Sequence, residues 1–147
     1  VMGLNRSLAT YHNPGHWEVK WRFFEAAACG CLNISARCKL LDGLGYLPYE
    51  HYMPVAAPED ETGDPWPSVE DLAAVIRELK SKPSLWRNMA TRAREHTLRK
   101  HTYYHRCAQV AKDLDMKPLG KMTERAIDMM LVEEKLKWKS TLDLTGD

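Results

Sequence analysis

The sequence predicts an α/β fold in which a few parallel strands alternate with helices and a run of further helices closes the chain. Three observations lead to this. Residues 1–36 spell strand, turn, helix, strand, the order of a βαβ unit, which places neighbouring strands parallel. A third apolar run ends at residues 55–57, and from Ser68 onward the apolar residues recur at helical spacing. Apolar residues make up 44% and charged residues 28% of 147, close to the averages of folded soluble domains.

Each element has a local reason. The opening VMGLNRSLATY is short, apolar and partly alternating, which suits a strand leading into a loop. In HNPGHW, the run Asn13, Pro14, Gly15 punctuates the chain and permits a tight turn. From Glu18, EVKWRFFEAAAC puts Val19, Phe23 and Ala26 or Ala27 on one face, and Gly30 stands where a helix C′ glycine belongs. This predicts a helix of about three turns. CLNISA follows as a short run suited to a buried strand.

Between Arg37 and Pro58, DGLGYLPYEHYMPV reads as a glycine-rich turn, an aromatic stretch and a third strand ending at Val55 to Ala57. The acidic, proline-rich PEDETGDPWP reads as a solvated loop. Ser68 and Asp71 resemble a capping box opening a helix whose stripe is Val69, Leu72, Ile76 and Leu79. Pro83 starts a second helix with Leu85, Met89 and Ala93 inward, and TYYHRCAQVAKDLDM forms a third. After KPLG, KMTERAIDMMLVEEKLKWK reads as an amphipathic helix with Met122, Ala126, Met129 or Met130 and Leu136 on one side.

The bulk numbers exclude several functional classes. A formal net charge of +1 and a pI near 7.8 are far from the strongly basic balance of a dedicated DNA or RNA reader. No window carries the roughly 18 apolar residues of a membrane span, and the first residues lack a basic leader. The four cysteines, at 29, 31, 38 and 107, have neither zinc-site nor disulfide-framework spacing and read as reduced thiols of a cytoplasmic protein. A start at Val1 in a strand-like run reads as a piece of a longer chain.

The stretch from 11 to 35 carries the chemistry. A strand, a glycine-containing turn and a helix N-terminus together make an anion site, because unpaired N–H groups and the helix dipole converge there. Asn13, Gly15 and His16 line its approach, with Lys20 and Arg22 in the first turns, so a diphosphate is well placed. A carboxylate such as Glu25, further along the helix, suits two ribose hydroxyls. Spacing alone also allows the bland alternative, in which Glu18, Arg22 and Glu25 form a solvated salt-bridge face.

The run RFFEAAACGCLNIS closely resembles the motif of GT-B glycosyltransferases, in which a glutamate precedes a small-residue helix ending in CG and then a strand. It looks most like the group-1 transferases related to the spore maturation protein CgeB. LGYLPYEHYMPV and the helical stretch from Val69 to Arg106 resemble that family's later blocks in the right order, and the likeness covers about residues 1–112. The resemblance implies a partial Rossmann-like C-terminal domain of a GT-B fold over 1–116, with a helical extension and tail over 117–147. It implies that Glu25 holds the ribose of a nucleotide sugar and that the preceding loop holds the diphosphate. Many retaining members carry another glutamate eight positions earlier; here that position is Trp17, and Glu18 falls seven before Glu25. The sugar-side role and the stereochemical outcome therefore stay unassigned.

Other clusters are weaker. His101 and His105 share an i, i+4 spacing with His96 nearby, but no HExxH pattern or convergent ligand set accompanies them, so no metal is expected. His12 and His16 either contact phosphate or flank the turn. Arg87, Arg92, Arg94, Arg99, Lys100 and Arg106 make a basic series balanced by the acidic loop at 59–64, and Trp21, Trp86, Tyr103 and Tyr104 read as packing residues.

The expectation is a glycosyltransferase moving sugar from a nucleotide diphosphate sugar to an unknown acceptor, with no separate cofactor and no nucleic-acid partner. Asn13, Gly15, His16, Arg22 and Glu25 hold the donor, and an N-terminal GT-B domain on another stretch of polypeptide supplies the acceptor side. The competing readings are a non-catalytic binding module with a degenerate transferase fold and a nucleic-acid-binding helical domain.

Overall fold

A computed structural model describes residues 4, 7–13, 18–56, 66–116 and 121–133. Gly15 and His16, most of the acidic loop, and Leu136 with the tail lie outside the described residues. The chain forms two compact units, residues 1–97 and 98–147.

The first unit is built on a parallel sheet. Its order is β1 (Ala9–His12), α1 (Trp21–Ala28), β2 (Leu32–Ser35), α2 (Lys39–Gly43), β3 (Met53–Pro54), α3 (Val69–Ser81) and α4 (Pro83–Lys100), the last belonging to this unit as far as Thr97. The strands lie in the order β1-β2-β3, with Ala9 opposite Leu32, His12 opposite Ser35, and Ile34 opposite Met53. The α/β class with parallel strands is therefore observed. The first strand occupies only the end of the opening segment and takes in His12, which the sequence placed in the loop.

α1 begins at Trp21 rather than Glu18 and has eight residues. It buries Phe23, Ala26 and Ala27 and stops where expected, with Gly30 at φ 74° and Cys31 N–H donating to the Ala26 carbonyl. β2 is buried along its whole length, as strands of a parallel sheet covered on both faces usually are. Because side chains alternate, its residues divide. Leu32 and Ile34 join Met53, Val55, Leu79, Met89 and Ala90 in one core, against α3 and α4. On the other face Asn33 donates from Nδ2 to the Phe23 carbonyl of α1 at 2.9 Å, beside a second cluster of Phe23, Leu41, Tyr46 and Tyr52.

Two sequence readings need correction here. α2 occupies part of the segment read as a glycine-rich turn; it ends at Gly43, and Gly45 follows at φ 78°. In α3 the inward stripe is Leu72, Val75 and Leu79, whereas Val69 and Ile76 are exposed. Val69 is the first helical residue, ahead of the contact zone, and Val75 takes the inward place that Ile76 was given. The start itself is as read: Ser68 Oγ accepts from Asp71 N–H at 3.0 Å. Pro83 opens α4, which buries Met89 and Ala93.

In the second unit α5 (Tyr103–Asp113) is capped by Thr102, whose Oγ1 lies 2.7 Å from Nδ1 of His105. Residues 121–133 are helical, with Thr123 buried and Met122 and Met129 exposed. Of the expected stripe Ala126 and Met130 are half-buried, whereas Met122 is exposed and its place is taken by Thr123.

Candidate functional site

The carboxyl end of β1 and the start of α1 enclose a cleft of about 380 Å³, lined by Tyr11, His12, Asn13, Lys20, Trp21, Arg22 and Glu25. The sheet forces this placement. Parallel strands all present their carboxyl ends on one edge, and the crossover returns the chain there as a helix N-terminus. Three of the five residues expected to hold a donor, Asn13, Arg22 and Glu25, meet in this cleft. Gly15 and His16 lie outside the described residues.

Lys20 caps α1 in extended conformation without a side-chain hydrogen bond, and the first turn contains no acidic residue. Helix-end N–H groups are therefore not satisfied by a side-chain cap, and no carboxylate opposes an incoming anion there. Arg22 is exposed, whereas Glu25, the fifth residue of the helix, is half-buried. Ion pairs elsewhere join Lys82 to Glu78 at 2.9 Å and Arg92 to Glu50 at 4.0 Å. Glu18, Arg22 and Glu25 do not pair with one another at that distance.

The cleft also holds residues that sequence reasoning undervalued. Trp21, expected to pack internally, is 48% exposed at the mouth of the cleft. Tyr11 and His12 sit on opposite faces of β1, Tyr11 against the apolar core and His12 edge-on to Phe23. Burial and the nearby Lys20 ammonium push the His12 imidazole down to about 4, so it is neutral at physiological pH. Burial raises the Tyr11 hydroxyl, which stays protonated. The signal for His12 was its place two residues before Pro14, at the end of a strand, but only the strand's true register reveals which face it occupies.

Residues 1–112 match the Glycosyl transferase-like family. The chain belongs to this family. Its parallel sheet flanked by helices is consistent with the Rossmann-like half of a GT-B glycosyltransferase, and the cleft lies on the strand edge where open α/β sheets place their ligands. Neither a curated protein nor a solved structure matches the chain. The family match spans every residue of the cleft. Among the described residues no helix is long and apolar enough to cross a membrane.

Proposed function

We propose that this chain binds the donor of a sugar-transfer reaction, a nucleotide diphosphate sugar, in the cleft between β1 and α1. Glu25 accepts hydrogen bonds from the two ribose hydroxyls, while Arg22 and the first N–H groups of α1 face the diphosphate, with Asn13, Gly15 and His16 on the approach. The observation carrying this reading is the convergence of Asn13, Arg22 and Glu25 at a helix N-terminus, with neither charged side chain spent on the other. A guanidinium suits phosphate because its planar fork donates two parallel hydrogen bonds.

Residues 1–116 form the donor half and 117–147 an extension; the acceptor side comes from an N-terminal GT-B domain outside this sequence. Within the family, the motif likeness of RFFEAAACGCLNIS is to the CgeB-related transferases. Four free thiols, Cys29, Cys31, Cys38 and Cys107, suit a reducing cytoplasm. Calorimetric titration with UDP-, GDP-, ADP- and dTDP-glucose tests the reading. One of the four binds, and Glu25→Ala weakens it at least about tenfold, the loss expected when hydrogen bonds to a charged group disappear. Unchanged affinity in Glu25→Ala would remove Glu25 from the site.

A further inference from the structure

One group in the cleft has no task in the donor reading so far. His12 ends β1 with only 6% of its surface exposed. Its ring stands edge-on to Phe23, with centroids 5.2 Å apart at 65°. Phe23 is in turn held by Tyr46 and Tyr52, at 5.0 and 6.3 Å, and is wholly buried. The imidazole is therefore fixed by close packing. Yet its Nε2 is enclosed without a hydrogen-bond partner, and so is Oδ1 of the adjacent Asn13.

Proteins rarely leave such atoms unpaired, because each carries its desolvation penalty undiminished. Here three occur on consecutive residues, the Tyr11 hydroxyl with these two, and all three residues line the cleft that Lys20, Arg22 and Glu25 also line. Any helix N-terminus attracts anions; a rigidly held polar pair beside it selects a shape.

We infer that His12 is a ligand-contacting residue of this site, its Nε2–H donating to an oxygen of the bound nucleotide sugar, while Asn13 Oδ1 accepts from a ligand hydroxyl. The inference rests on the donor reading above. It adds that the ligand meets a neutral hydrogen-bonding imidazole as well as cations, and that it must present an acceptor oxygen and a hydroxyl close together. A sugar joined to a diphosphate does so. The imidazole's low proton affinity agrees, since it stays uncharged beside Lys20.

The test uses the same four nucleotide sugars on the wild type, His12→Phe, His12→Gln and Glu25→Ala, with thermal melting of each protein without ligand. A phenyl ring keeps the edge contact with Phe23 but has no Nε2. His12→Phe is expected to bind about tenfold more weakly or worse, the loss of a hydrogen bond to a charged ligand, with Tm equal to or above the wild type. His12→Gln, whose amide nitrogen reaches about as far as Nε2, is expected to recover most of the affinity. Wild-type affinity in His12→Phe alongside lost affinity in Glu25→Ala would overturn the His12 role and leave the donor site standing. Weakened binding accompanied by a lower Tm and no recovery in His12→Gln would also overturn it, as a purely structural effect. A wild type that binds none of the four sugars removes both readings.

Discussion

The two faces of the sheet are chemically unlike. Toward α3 and α4, Leu32, Ile34, Met53 and Val55 meet Leu79, Met89 and Ala90 in an almost wholly aliphatic core. Toward α1, the same strands present His12, Asn33 and Ser35, all buried, beside the rings of Phe23, Tyr46 and Tyr52. Parallel sheets are usually apolar on both sides. On the α1 side, Nε2 of His12, Oδ1 of Asn33 and the Tyr52 hydroxyl lack partners. Burial, with Asp42 nearby, pushes that hydroxyl up to about 12. Buried polar atoms without partners are rare in native interiors and concentrate at functional sites, so the two faces call for separate tests.

The largest effect should come from the apolar face. Leu32 is wholly buried in its core. Leu32→Ala is expected to lower stability by about 3 kcal/mol through lost transfer energy and the cavity left behind, measured by urea unfolding. A loss below about 1 kcal/mol would mean that this core collapses around the gap and the division between faces is weaker than drawn.

Acid should act on the other face. Folded His12 stays neutral down to about pH 4, whereas a free imidazole takes its proton near 6.5. Between those values the unfolded chain binds the additional proton, so stability rises with pH and is lost as pH falls from about 6.5 to about 4. The loss is expected to approach about 3 kcal/mol, and His12→Phe should remove it. Unfolding curves at stepped pH decide this; an acid loss of equal size in His12→Phe would place its origin in other groups.

What the sequence disclosed follows the same division. Local signals were readable: Gly30 as a helix stop, Ser68 as a cap, Pro83 as a helix start, and the uninterrupted apolar run around β2. Contacts between distant residues were not. The Thr97 hydroxyl donates to the Ala93 carbonyl at 2.7 Å and so receives the Tyr46 hydroxyl at 2.6 Å, tying α4 to the aromatic cluster across 51 residues of sequence. Nε2 of His96 likewise donates to the Leu44 carbonyl at 3.0 Å. No periodicity encodes such pairs. α2 escaped notice because five residues are too few to show a helical period. Of the cleft, Asn13, Arg22 and Glu25 were legible from the turn and helix order, while His12 and Trp21 depended on where β1 ends and α1 begins.

The smallest effect sharpens the comparison most, because it concerns the residue next to Leu32. Asn33 is as deeply buried as its neighbour but points to the α1 face, where it gives one hydrogen bond to the Phe23 carbonyl and leaves Oδ1 unpaired. In Asn33→Leu that carbonyl keeps the helical partner its i+4 spacing supplies, the unpaired oxygen disappears, and the volume is similar. The expected change in unfolding free energy is under about 1 kcal/mol in either direction, against about 3 for truncating the adjacent leucine. Asn33 does not line the cleft, so nucleotide-sugar affinity should hold as well. If Asn33→Leu instead destabilises as much as Leu32→Ala, the polar side is a cohesive structural network. His12 would then have to be read as a member of that network before it is read as a ligand contact.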